Sequence, residues 1–189
     1  MPKKMLKGFN HLFYNILTAN TDEAYTPGNA YVRVHGAQTL TQSDTANELK
    51  VQADDGVYYQ ENEFQEGELQ ITVAGLALTD LAALKGSNIA TDEMTEGELD
   101  NAPEVALSFS GLLADNEGYR CYQYFACKLS AWKADLATKG QNNSVAAVTL
   151  TFKYHGRAID RKLRSIKDVA TETLATEYLQ AIPSLPTAG

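Results

Sequence analysis

The chain has 189 residues, 44% of them hydrophobic and 21% charged, the makeup of one globular domain or two small ones, which excludes wholesale disorder. A net charge of −8 excludes a surface that binds nucleic acid or an anionic membrane over its whole extent, because phosphates are repelled. No apolar run approaches the roughly 20 residues that cross a bilayer, so no membrane partner is expected. The start, Met1-Pro2-Lys3-Lys4-Met5-Leu6-Lys7, opens like the n-region of a secretion signal. Asn10, His11, Tyr14 and Asn15 then interrupt the apolar stretch that should follow. The expectation is a chain made and kept in a cytoplasm.

Taken in order, most windows read as strands. His11–Thr18 is apolar, Thr26–Asn29 is a turn, and Ala30–Gly36 alternates Tyr31, Arg33 and His35 against Val32 and Val34. Glu48–Ala53 alternates and stops at the turn Asp54-Asp55-Gly56. Val57–Gln60 follows, then Glu66–Leu76, with Leu69, Ile71 and Val73 on one face. Such alternation implies one buried face per sheet, as in antiparallel sandwiches and barrels. A short helix interrupts the pattern, with Thr79 as its expected N-cap, Asp80 in the first turn and Gly86 as its stop. Polar Ser87–Pro103 reads as a loop or an exposed hairpin. Glu104–Ser110, Tyr119–Trp132 and Ser144–His155 read as strands, with a turn at Asp115–Gly118 and a loop at Ala134–Asn143 between them. Beyond Arg157 the chain turns basic. From Val169 to Ile182 it reads as a helix, because Ala170, Leu174, Tyr178 and Ile182 recur every four residues before Pro183 and Pro186.

Reactive motifs are absent. There is no Gly-rich phosphate loop, no Gly-x-Ser-x-Gly elbow and no His-Glu-x-x-His helix. His11, His35 and His155 stand singly, so no metal set is readable. Cys121 and Cys127, if on one strand, share a face but lie roughly 20 Å apart at about 3.3 Å per residue, too far for a disulfide. They read as packed thiols. Asp54-Asp55-Gly56 lacks the spacing of a calcium loop and reads as a turn. Tyr119, Tyr122, Tyr124, Phe125 and Trp132 have few cations among them and read as core or subunit-interface packing rather than a platform for nucleic acid. No catalytic residue, cofactor site or metal site is assigned, and an enzyme is not expected.

Charge, however, is segregated. Residues 44–117 hold 17 acidic and two basic residues, about −15, and the remainder carries about +7. One reading is solvated loops and tails. The other is that the basic ends of one copy meet the acidic middle of a neighbour. On that reading the candidate contacts are Lys3, Lys4, Lys7, Arg157, Arg161, Lys162 and Arg164 against Glu48, Asp54, Asp55, Glu61 and Glu63.

Three stretches carry a resemblance. Lys7-Gly8-Phe9-Asn10-His11-Leu12-Phe13-Tyr14 is similar to a GLKNLxYA opening. Val51-Gln52-Ala53-Asp54-Asp55-Gly56-Val57-Tyr58 is similar to a LYADDGPYE strand–turn–strand. The run from Asn101-Ala102-Pro103-Glu104-Val105-Ala106-Leu107-Ser108-Phe109 through Gly118-Tyr119-Arg120 and Thr138-Lys139-Gly140 to Val148-Thr149-Leu150-Thr151-Phe152 is similar to an APYVALxFE…GKYRY…TKG…TLTGTF order. Together they resemble the major tail proteins of long-tailed, non-contractile bacteriophages, over roughly residues 7 to 160. Tyr58-Tyr59-Gln60 departs from that pattern, and residues 161–189 have no counterpart in it.

The resemblance implies a mainly β fold: a two-sheet antiparallel sandwich, barrel-like, with one short flanking helix. It implies a basic leader at 1–8, a tube domain at 9–160, and a basic and helical C-terminal extension at 161–189. Six copies would form a ring, rings would stack into a virion tail tube, and the lumen would hold the tape-measure protein and later pass DNA. The lumen is expected to be acidic or neutral, lined from within Asp44–Glu68 and Glu104–Asp115, so that phosphates slide without partners. A loop at Ser43–Glu68 is expected to meet the next ring through Arg157–Lys167 or Lys3–Lys7. The inner tube of a contractile injection machine and a tail terminator share this architecture. The alternatives from other classes are a monomeric β-sandwich that binds carbohydrate and, more remotely, a hydrolase on a β scaffold.

Overall fold

The computed structural model describes residues 5–28, 30–53, 56–114, 117–135, 147–181 and 183, with side chains described throughout except at 49 and 51–58. The strands are β1 (Leu6–Asn20), β2 (Tyr25–Pro27), β3 (Val32–Val34), β4 (Ala37–Ala53), β5 (Gly56–Val73), β6 (Asn88–Ala90), β7 (Glu93–Thr95), β8 (Glu104–Leu113), β9 (Tyr119–Asp135), β10 (Ala147–His155) and β11 (Arg164–Val169). Two helices, α1 (Leu78–Lys85) and α2 (Glu172–Gln180), complete the described elements.

Nine strands form one antiparallel sheet in the order β2-β1-β8-β9-β10-β5-β4, with β3 also on β1 and β11 also on β9. β6 and β7 form a separate small hairpin, within the stretch read as a loop or hairpin. The mainly β, sandwich- and barrel-like class expected from alternation is the class the chain adopts. Its two layers are halves of one bent sheet. Leu12 and Tyr14 of β1 and Val105 and Leu107 of β8 meet Leu69 and Ile71 of β5 and Leu150 and Phe152 of β10 in a single core. Leu81 and Leu84 of α1 also enter it. β4, at one end of the sheet, and β1, next to the other end, approach each other without pairing among the described residues.

Several boundaries differ from the expectation. Residues 37–47, with mixed polar composition, are strand, so the loop expected at Ser43–Glu68 is instead most of a long β4–β5 hairpin. Val57–Gln60 and Glu66–Val73 belong to one strand, while residues 74–76 fall outside it. Cross-strand pairing along the hairpin overrides the weak propensity of this polar sequence. The cap position of α1 is Ala77, not Thr79, and no side chain caps it. Gly86, at φ 72°, closes the helix as expected of a residue without a Cβ. The C-terminal helix starts later than expected, because Val169 is taken by β11. Thr171 caps it through Oγ1, which accepts from the Leu174 amide at 3.3 Å. Its buried face is Ala175 and Leu179, whereas Leu174 is half exposed. Burying Leu179 contributes about 2 kcal/mol, and a nine-residue helix needs such docking to persist. The segment 161–189, expected as an extension, supplies β11 to the main sheet and α2 to its outer face.

A bulge decides the cysteines. Tyr124 pairs Leu107 and Cys127 pairs Val105, so Phe125 and Ala126 oppose the single residue Ala106. The extra residue inverts the alternation of β9. Cys121 therefore packs with Phe13, Ala175 and Leu179 on the α2 side, and Cys127 packs in the main core. The shared face expected for the two thiols is overturned; both are buried and free.

One polar network crosses the core. The Arg164 guanidinium of β11 donates to Asp44 of β4 (Nη2 to Oδ2, 3.0 Å), to the Tyr154 hydroxyl (3.0 Å) and to the Tyr124 hydroxyl (3.3 Å). Tyr154 donates in turn to Asp44, and Tyr124 donates to Gln42 at 2.7 Å. Burial pushes the Tyr124 hydroxyl up to about 12. Burial also raises Asp44, but hydrogen bonds from Arg164, Tyr154 and Gln42 outweigh it and hold the carboxyl below its ordinary value. Gly67 makes room for the network, since a Cβ there would fall inside the Tyr154 ring. The Gly67→Ala variant is expected to lose about 1–3 kcal/mol by overpacking, and Asp44→Ala about 1–2 kcal/mol by orphaning Arg164. Urea unfolding read by circular dichroism checks both.

Candidate assembly surface

β10 covers β5 only over Gly67–Val73. Beyond that stretch β4 and β5 continue as a two-stranded ribbon, pairing through Ala53 and Gly56, with both outer edges unpaired among the described residues. The ribbon exposes Glu48, Glu61 and Glu63. Gln60 Nε2 donates to Glu48 Oε1 at 2.6 Å, and Lys50 Nζ lies 3.8 Å from the same oxygen. Phe64, half-buried, roots the ribbon by stacking on Tyr154 with centroids 6.0 Å apart. Asp54 and Asp55, expected at its turn, lie outside the described residues, as do Lys3, Lys4, residues 136–143 of the expected loop, residues 144–146 of the expected strand after it, Ile182 and Pro186.

A second open edge is on β9. Its pairing with β8 ends at Lys128–Glu104, so from Leu129 to Asp135 only the β10 side is hydrogen-bonded among the described residues. This stretch exposes Trp132, whose ring has Lys85 Nζ 5.6 Å from its centroid. Beside it a cleft of about 310 Å3 is lined by Asp100, Asn101 and Lys128. Of the aromatic run, Tyr124 and Phe125 are core residues while Trp132 is not.

The basic candidates divide. Lys7, Arg161 and Lys162 are exposed. Arg157 is 1% exposed and turned into the subunit, which corrects its placement as a surface contact. Its Nε and Nη2 donate to the two Asp160 oxygens at 2.6 and 2.7 Å, and its guanidinium lies between the rings of Phe125 (4.5 Å) and Tyr25 (5.3 Å). Arg164 is likewise turned inward, to Asp44. Lys153 pairs with Glu66 at 2.6 Å. Part of the charge complementarity seen along the sequence is therefore satisfied within one chain. The network residues Asp44, Tyr124 and Tyr154 and the rings of Tyr25 and Phe125 around Arg157 carry no local signal in the sequence, because each contact joins positions far apart, and the β9 edge shows only where pairing with β8 stops.

One polar row has the composition of a nucleophile set. Ser110 Oγ lies 2.9 Å from His11 Nδ1, and His11 Nε2 lies 2.9 Å from Glu172 Oε1. Ser110 is fully buried and His11 nearly so, so no substrate reaches the hydroxyl in this arrangement. His11 has φ 53°, which aims its ring between β8 and α2. Among the described residues no group of three or more His, Cys, Asp or Glu is placed to hold a metal, and no helix is long and apolar enough to cross a membrane.

Compared by sequence, the chain matches no family model and no curated protein. By structure it is similar to a chain of the sheath–tube complex of an extracellular contractile injection system, at 8% identity and a TM-score of 0.47, covering 88% of this chain and 94% of that one. It is similar to a chain of the tube-terminating cap of the anti-feeding prophage, at 6% identity and a TM-score of 0.45, covering 89% and 95%. It is also similar to an Hcp protein, at 8% identity and a TM-score of 0.40, covering 86% and 100%.

The Arg157 guanidinium holds the Asp160 carboxyl at about 2, against an ordinary 3.8. A carboxyl depressed on folding stabilises the fold above about pH 3.8, and that contribution is lost as pH falls toward 2. The Asp160→Asn variant, which leaves a buried cation poorly compensated, is expected to lose about 3 kcal/mol at pH 7 and to show a flatter stability profile across that acid window. Urea midpoints measured from pH 7 to pH 2 check it.

Proposed function

We propose that the chain is a structural subunit of a phage-type tail tube, assembled as stacked rings of six around a lumen that holds the tape-measure protein and later passes DNA. The observation that carries this reading is the pair of open sheet edges, on the β4–β5 ribbon and on Leu129–Asp135 of β9. An exposed edge is a row of unpaired donors and acceptors that pairs uncontrollably unless something consumes it. A closed ring of identical copies consumes two edges per copy at once, because each copy offers both partners. The three tail-protein-like stretches in the sequence support the same reading.

On this reading the working location is the virion tail. The exposed acids of the ribbon, Glu48, Glu61 and Glu63, meet the exposed cations Lys7, Arg161 and Lys162 of a neighbouring copy, and Lys3, Lys4, Asp54 and Asp55 belong to the same two charge clusters by sequence. An acidic lumen surface gives DNA no phosphate partner and leaves it free to slide. A monomeric carbohydrate-binding module is the second reading, favoured by Trp132 beside a polar cleft.

Negative-stain micrographs of the concentrated protein are expected to show annular or cylindrical objects. The double variant Glu61→Lys/Glu63→Lys is expected to shorten or abolish them, and adding Arg161→Glu/Lys162→Glu is expected to restore them. A protein that stays monomeric at high concentration and binds sugar through Trp132 overturns the reading.

A further inference from the structure

We infer that α2 is a releasable strap, hinged at Ala170–Thr171, that opens as a unit while the sheet beneath it stays folded. The helix is clamped at both ends by side chains and held in the middle by one small apolar cluster. At its N-terminal end, Glu172 accepts from His11, which is itself fixed by Ser110. At its C-terminal end, Ser108 Oγ donates to the Leu179 carbonyl at 2.7 Å, and Gln123 Nε2 donates to the carbonyls of Tyr178 (2.6 Å) and Ala181 (3.0 Å). His11, Ser108, Ser110 and Gln123 are four of the six buried polar residues described, and all four serve this one helix.

Between the clamps, only Ala175 and Leu179 of α2 are buried, against Phe13 and Cys121. Its flanks are loosely filled. An open cleft of about 370 Å3 lies between it and the segment bearing Lys162 and Arg164, and another of about 490 Å3 lies along its β11 side. Tyr178 ties the flank through Ser165 at 2.7 Å and beneath Lys167, Tyr31 donates to the Ala181 carbonyl at 3.5 Å, and Tyr31, Tyr119 and Val169, all partly exposed, complete the contact.

A face of this kind is easier to uncover than an apolar one. Its polar side chains exchange helix carbonyls for water, so each bond holds the helix only modestly, whereas a wide apolar contact would resist exposure. The main core lies on the opposite face of the sheet and keeps its own packing when α2 leaves. Segments with few buried apolar contacts occupy the low end of the opening free-energy scale. The result is a C-terminal end that is freed or docked without refolding the body.

The two thiols report this directly. Cys121 lies under α2 and Cys127 lies in the main core, both fully buried. The intact chain is treated with a thiol-reactive aromatic disulfide under native conditions, and labelling of each cysteine is followed by mass spectrometry of the peptides. Cys121 is expected to react at least tenfold faster than Cys127, with a weaker dependence on low urea because less surface opens. Ser108→Ala, which weakens the C-terminal clamp, and Glu172→Ala, which removes the N-terminal one, are expected to speed Cys121 about tenfold and leave Cys127 unchanged. Equal rates and equal urea slopes at the two thiols overturn the inference. So does a Cys121 rate that neither clamp variant changes relative to Cys127.

Discussion

The Arg164 guanidinium is held by Asp44, 120 positions earlier in the chain, and the arrangement of the whole subunit depends on that pairing. Arg164 opens β11, which hydrogen-bonds to β9; Asp44 sits on β4, the last strand of the main path through the sheet. Tyr124 and Tyr154 stand between them, on strands that neighbour one another, with rings in edge contact 4.8 Å apart. The network therefore ties one end of the sheet to its middle across the interior. Without it, the bend that brings the two layers together would rest on apolar packing, which is strong but does not select a register.

The same pairing rearranges the electrostatics. A chain with an acidic middle and basic ends has the pattern of molecules that attract their own copies. Folding uses part of that attraction internally, in Arg164–Asp44 and Lys153–Glu66, while Arg157 is held by Asp160 within the basic segment itself. Among the exposed charges that remain are acids on the projecting ribbon and cations at Lys7, Arg161 and Lys162. Exposed pairs of this sort contribute little stability each; in the proposed assembly they would select a partner and an orientation.

Two faces of one sheet serve two purposes. The inner face, with α1, is a continuous apolar core. The outer face at β1, β8 and β9 is small, polar at its rim and covered by α2. The single bulge at Phe125–Ala126 lets β9 serve both, since it presents Tyr122 and Tyr124 to the core before the bulge and Cys127 and Leu129 after it. Residues 11–15 of β1 are buried without alternation for the same reason: both of its faces are covered.

Local composition was enough to determine the mainly β class, the strands at β1, β8, β9 and β10, the short α1 with its Gly86 stop, and the existence of a C-terminal helix. In each of these the period of the apolar residues or a glycine with a required conformation carries the signal within a few positions. The windows at 30–36, 48–53, 57–60 and 66–73 were also legible as strand. Tertiary structure decided the rest. Residues 37–47 and 61–65 are strand because each polar half of the β4–β5 hairpin pairs with the other. The cysteines part company because β9 gains one residue opposite β8, and Arg157 and Arg164 turn inward because Asp160, Phe125, Asp44 and two tyrosines surround them. A cation written in a sequence has the same charge wherever it lies; only the packing around it decides whether that charge is spent inside the molecule or offered to another.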